Sequence, residues 1–122
     1  MSERKGILER TKLFAVRIIR LYSSLPKSTE AQVLGKQLLR SGTSVGAQVR
    51  EGNRSRSDAE MISKTEGALQ ELEETMYWLE LLADTDIIKR ERLTDLIKEA
   101  DELAAILVAS AKTLKSRKRK TQ

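Results

Sequence analysis

Apolar side chains recur along almost the whole chain at steps of three and four, and this period constrains the fold more than any other feature. In the first such stretch Ile7, Phe14, Ile18, Leu21 and Leu25 fall on one line, with Leu8, Ala15, Ile19 and Tyr22 beside it. Residues three and four apart share a face of an α-helix, so this line is the buried stripe of an amphipathic helix. The first helix is expected from about Ser2 to Ser24. It ends at Leu25-Pro26, because proline drives the residue before it out of the helical region.

Three more stretches repeat the pattern. A second helix is expected from Thr29, where Thr29 and Gln32 form a T-x-x-Q capping box. Its stripe is Ala31, Leu34, Leu38, Ser41, Val45, Gln48 and Gly52, apolar at first and then small and polar. "GNRSRS" breaks the chain. Ser57 and Glu60 then make an S-x-x-E capping box that opens a third helix with the stripe Ile62, Leu69, Leu72, Met76, Leu79 and Ala83. That helix ends near "ADTD". A fourth starts near Lys89 and carries Leu93, Leu96, Ile97, Ala100, Leu103, Ala104, Leu107, Ala111 and Leu114 on one face. Four such helices with short connections imply an all-α, up-down-up-down antiparallel four-helix bundle over residues 1–115. "SRKRKTQ", residues 116–122, has no period and reads as a basic flexible tail.

Composition removes several classes of function. The 122 residues contain no Cys and no His. Disulfides, thiolate chemistry, Cys/His zinc sites and histidine acid-base catalysis are therefore excluded. Glu66, Glu73 and Glu80 share a helical face, but a bundle di-iron site needs Glu-x-x-His. No phosphate loop or nucleophile-base pair is present. The expectation is a non-enzyme with no metal and no cofactor. No apolar run reaches the roughly 18 residues of a membrane span, and the N-terminus lacks a signal-peptide apolar core, so a soluble cytoplasmic protein is expected.

Charge is distributed in blocks. Residues 1–57 hold 12 basic and 4 acidic side chains, residues 58–102 hold 5 and 14, and residues 103–122 hold 6 and none. A basic half, an acidic half and a basic tail can pair with one another, or the basic parts can meet a polyanion. On a helical wheel Lys36, Arg40, Arg50 and Arg54 lie opposite the second helix's stripe, while Arg10, Arg17 and Arg20 belong to the first helix. "KTLKSRKRK" adds Lys112, Lys115, Arg117, Lys118, Arg119 and Lys120. Such a cluster contacts phosphates through counterion release and carries no sequence information. Phe14, Tyr22, Tyr77 and Trp78 are the only aromatics, too few for a base-stacking platform, so structured RNA is the expected polyanion.

Glycines mark close approach. Gly42 and Gly46 form a G-x-x-x-G pair that admits another backbone. That neighbour is either another helix of the bundle or a second subunit. Around "MYWLELLA" the third helix is apolar almost all round, which suggests burial on more than one side. Glu71, Glu74, Trp78 and Leu82 share a face there. With Gly42 and Gly46 they are taken as an oligomer interface anchored by Trp78, with Glu71 or Glu74 paired to an arginine of the second helix in the same or a neighbouring subunit. Ser41, Ser44, Gln48 and Glu51 read as a polar network that fixes helix register.

"LLRSGTSVGAQVREG" followed by "ALQELEETMYWLELL" resembles the 23S rRNA intervening-sequence proteins, a family of bacterial four-helix bundles, over nearly the whole chain. The family's central motif is R-S-x-x-S-(I/V)-x-x-N with an acid shortly after. Arg40, Ser41, Ser44, Val45 and Glu51 match it, and Gln48 stands where Asn is usual. Glu71, Glu74, Thr75, Tyr77, Trp78 and Leu79 match the later motif. The resemblance implies a ring-like homo-oligomer, often a pentamer. A related bundle is the basic pentameric accessory subunit of diversity-generating retroelement reverse transcriptases, which associates with RNA and with the enzyme. By resemblance the partners are therefore other copies of the chain, RNA, and a protein such as a reverse transcriptase. Two functions remain open: an RNA-associated accessory protein and a protein-interaction scaffold.

Overall fold

The computed structural model describes the backbone of residues 2–120 and the side chains of residues 6–120. Four helices follow in order: α1 (Ser2–Ser23), α2 (Thr29–Asn53), α3 (Asp58–Asp84) and α4 (Arg90–Lys120). Each packs on its sequence neighbours, and α1 also meets α4 along a thinner seam, whereas the backbones of the diagonal pairs stay apart. This is an antiparallel four-helix bundle, and its registers can be read from individual contacts. Gly46 faces Thr11 and Gly35 faces Tyr22 across the α1–α2 seam, while Gly52 faces Lys64 and Gly67 faces Gln48 across the α2–α3 seam.

The core follows most of the expected stripes, but Leu82, expected at an interface, joins it, and Leu34, Ile62, Leu69 and Met76 are only half-buried. Phe14, Ile18, Leu38, Leu72, Leu79, Leu82, Leu93 and Leu103 are each at most 1% exposed. Burying a side chain of this size stabilises by roughly 1.5–3 kcal/mol, and this burial holds the helices together.

Helix ends follow local chemistry, with two departures from expectation. Ser57 caps α3 as its S-x-x-E motif requires, accepting from the Glu60 amide at 3.1 Å. The cap of α2 is Ser28 rather than Thr29: its hydroxyl accepts from the Ala31 amide, and Thr29 is already helical. Both residues can cap, and the box loses because Gln32 turns outward, donating to the Pro26 carbonyl at 2.8 Å and accepting from the Tyr22 hydroxyl at 3.2 Å. At the α3–α4 corner Asp86 takes φ 60°, and the Ile87 amide reaches back to the Leu82 carbonyl at 3.1 Å, a left-handed helix stop.

The second departure concerns the basic tail. α4 remains helical to Lys120, so the break expected after residue 115 is absent within the described residues. Two ion pairs hold this extension to α3: Lys115 with Glu66 at 2.5 Å, and a two-pronged contact of Arg117 with Asp58 at 2.7 and 3.2 Å. Cations in the last turn also complement the negative end of the helix dipole. Residues 121 and 122 lie outside the described residues.

Candidate nucleic-acid interface

Antiparallel packing brings the C-terminal ends of α2 and α4 to the same end of the bundle as the N-terminal ends of α1 and α3. Cations far apart in sequence therefore share that end, those of α2 and α4 at opposite corners of the bundle. Arg50 and Arg54 come from the outer face of α2, Arg56 from the α2–α3 turn, and Lys112, Arg119 and Lys120 from α4. All six are exposed. None has an ion-pair partner among the described residues. The Arg117–Asp58 contact ties the α4 part of this crown to the residue two places after Arg56. That guanidinium holds the Asp58 carboxyl below the usual carboxylate range, with the nearby Lys118 ammonium adding to the effect. Arg56 was not among the residues the sequence singled out. It sits in a turn with no period, and only the convergence of helix ends shows where it belongs.

The other expected cations divide. Lys36 is exposed on α2 but lies toward the opposite end of the bundle. Arg40 is not a free cation. It bridges Glu71 at 3.2 Å and Glu74 on α3 of the same chain, and Glu74 also accepts from the Trp78 indole at 3.0 Å. The indole donor first, and Arg40 second, hold the Glu74 carboxyl below its ordinary range. Lys115 and Arg117 are likewise committed to α3.

The residues assigned to a subunit interface are largely occupied within the chain. A Cβ on Gly42 would lie 2.8 Å from two side-chain carbons of Ile18, and one on Gly46 would lie 3.3 Å from the Thr11 carbonyl. The G-x-x-x-G pair thus serves the α1–α2 seam. Leu82 is fully buried in the core. Trp78 is half-buried against the core, at 5.2 Å edge-on to Tyr77, and Glu71 and Glu74 face Arg40. The hydrophobics that do remain exposed are others: Leu13, Ile19, Val33, Tyr77 and Val108.

Nor do Ser41, Ser44, Gln48 and Glu51 form one network. Ser44 bonds back to the Arg40 carbonyl at 2.7 Å, the Gln48 amide lies over Gly67, and Glu51 pairs with Lys64 at 2.8 Å. Only Ser41 lies in the core, where Thr75 Oγ1 donates to its hydroxyl at 2.8 Å with both residues fully buried. The sequence does not assign Thr75 to this network. Its signal was its three-four spacing with Leu72 and Leu79. Replacing Thr75 by Val should cost about 1–2 kcal/mol, since the Ser41 hydroxyl loses its cross-helix partner. Urea unfolding of the single variants and of Ser41→Ala/Thr75→Val should give a coupling of about 1 kcal/mol. Strict additivity would mean the pair does not act as a unit.

Among the described residues no group of three acidic, His or Cys side chains is placed to hold a metal ion, and no helix is long and apolar enough to cross a membrane. Phe14 is buried at mid-bundle, while Tyr22, Tyr77 and Trp78 lie toward the end opposite the crown. The crown can therefore grip phosphates but has no ring on which to stack a base.

Residues 3–109 match the family model described as 23S rRNA-intervening sequence protein. No curated protein matches the chain. A crystal structure of a protein of unknown function from the S23 ribosomal protein family of Bacteroides thetaiotaomicron is similar in sequence and fold. It is 39% identical, the match covers 90% of this chain and 98% of that one, and the TM-score is 0.85.

Proposed function

This chain belongs to the 23S rRNA-intervening sequence protein family, and from that premise we propose that it is a non-enzymatic, RNA-associated accessory protein whose basic crown binds the phosphates of structured RNA. The observation that carries this reading is the placing of Arg50, Arg54, Arg56, Lys112, Arg119 and Lys120 around one end of the bundle, all exposed and without ion-pair partners among the described residues. Six cations on a rigid frame release counterions when they meet a phosphate backbone. Lacking aromatic neighbours, they favour a folded, base-paired RNA read by shape over an unstacked strand.

The test is binding of the full-length protein and of a truncation after Leu114 to a hairpin RNA and a matched DNA duplex across a salt series. The expected result is preference for RNA, with log K falling linearly with log salt. The truncation should bind more weakly, with a slope shallower by roughly 0.7–0.9 for each phosphate contact removed. No binding near physiological salt, or a flat salt response, would overturn the reading.

A second reading rests on the exposed Leu13, Ile19, Val33, Tyr77 and Val108. Of these, Tyr77 lies edge-on to the half-buried Trp78, and aromatic residues of this kind are enriched at protein contacts. Here the bundle is a scaffold that assembles with copies of itself into a ring, in keeping with the family resemblance, and docks a further protein such as a reverse transcriptase. A native mass equal to that of one chain would remove the self-assembly part.

A further inference from the structure

α1 and α3 stand diagonally across the bundle, so their outer faces look to opposite sides of it. On α1, Lys12, Val16 and Arg20 follow at steps of four on the side away from the buried Phe14 and Ile18. On α3, Glu73, Tyr77 and Glu80 follow at steps of four and three on the side away from the buried Leu72 and Leu79. Lys12, Arg20, Glu73 and Glu80 are all exposed, and none has an ion-pair partner among the described residues. The two helices also differ in sign as a whole. From residue 6 onward α1 carries Arg10, Lys12, Arg17 and Arg20 against one acid, Glu9, and Arg10 is already held by Glu99 and Glu102. α3 is acidic along its length, and its one cation, Lys64, is paired with Glu51. Both faces carry apolar surface as well: Leu13 and Ile19 on α1 are 54% and 45% exposed, and Tyr77 on α3 is 52% exposed.

We infer, on the scaffold reading above, that the outer face of α1 in one copy docks on the outer face of α3 in the next, with Lys12 and Arg20 against Glu73 and Glu80 and with Ile19 and Tyr77 between them. Charge selects the occupant. A foreign basic protein would account for the face of α3 alone, whereas a second copy of this chain accounts for both faces at once. Spacing lets both pairs engage together, since Lys12 and Arg20 lie about 12 Å apart along their helix and Glu73 and Glu80 about 10.5 Å. Sign also sets the symmetry. Either face placed against its own copy would set like charges opposite one another, so a two-fold contact is disfavoured and the contact is head-to-tail. Because the two faces look to opposite sides of the bundle, two copies leave one face of each sign unused. The assembly therefore closes as a ring of three or more chains.

The test is sedimentation equilibrium of the full-length protein and its variants near physiological salt. The parent should sediment at the mass of three or more chains. Lys12→Glu/Arg20→Glu and Glu73→Lys/Glu80→Lys each set like charges across the contact and should weaken assembly at least about 100-fold. The variant with all four changes restores opposite charges and should assemble within about tenfold of the parent. Circular dichroism melting keeps the comparison to folded protein. Tyr77→Ala, which leaves every charge in place, should weaken assembly about tenfold and serves should a charge variant melt early. A parent with the mass of one chain would overturn the scaffold reading and this inference with it. An assembled parent that is a dimer, that the variants of one face do not weaken, or whose four-change variant stays dissociated would overturn the head-to-tail contact alone.

Discussion

Gly42→Leu should lower the unfolding free energy by about 3 kcal/mol and the melting temperature by roughly 10 °C. Even the Cβ it introduces would lie 2.8 Å from Cγ1 and from Cγ2 of Ile18. Ile18 cannot swing aside, because it is fully buried and its β-branched side chain is held to one helical rotamer. The remaining route is for α1 to move away from α2, which opens the packing of Gly46 on the Thr11 backbone one turn further along. Removing a helical glycine returns up to about 1 kcal/mol of propensity, and that does not offset separation of a seam. Circular dichroism melting and urea unfolding of the variant measure the effect. A loss below about 1 kcal/mol would mean that the α1–α2 spacing is set elsewhere.

The largest functional effect should come from charge reversal of the crown. Arg54→Glu, Arg56→Glu, Arg119→Glu and Lys120→Glu together should weaken hairpin-RNA binding at least about 100-fold near physiological salt, since each lost phosphate contact forfeits several-fold in affinity before repulsion is counted. Lys36→Glu, with the same charge change per residue but toward the opposite end, should change affinity less than about threefold. Because none of these side chains has an ion-pair partner among the described residues, melting temperatures should stay near that of the parent. Fluorescence anisotropy at several salt concentrations separates the two outcomes. If Lys36→Glu lowers log K by a quarter or more of the crown variant's loss, its share of the charge change, affinity follows net charge and not a located surface.

The pattern of success along the chain has a physical explanation. Ser57-x-x-Glu60, Leu25-Pro26 and the run from Leu93 to Leu114 work within a few residues of themselves, so their outcome is written locally: a cap, a stop, an apolar stripe. The number of helices, their approximate ends, the identity of the core and the family resemblance all follow from such signals. The capping of α2 by Ser28 instead of Thr29 shows where local signals tie, because two adjacent hydroxyls qualify and tertiary contacts of Gln32 choose between them.

What the period could not supply is the neighbour each face meets. Gly42 and Gly46 announce a close approach, but steric smallness does not say to what; packing answers with Ile18 and Thr11. Arg40 looks like a free cation on its wheel until α3 brings Glu71 and Glu74 across from 31 and 34 residues away. Arg117 and Lys115 look like a loose tail until Asp58 and Glu66 meet them. Conversely, Arg56 carries no pattern at all and becomes part of the crown only because antiparallel helices end together. The sequence by itself determined that four amphipathic helices form and which stripes they bury, because helical periodicity is a property of residues three and four apart. Only the tertiary structure decided which charges are neutralised and which remain free, because ion pairing depends on distances between segments that no local period contains.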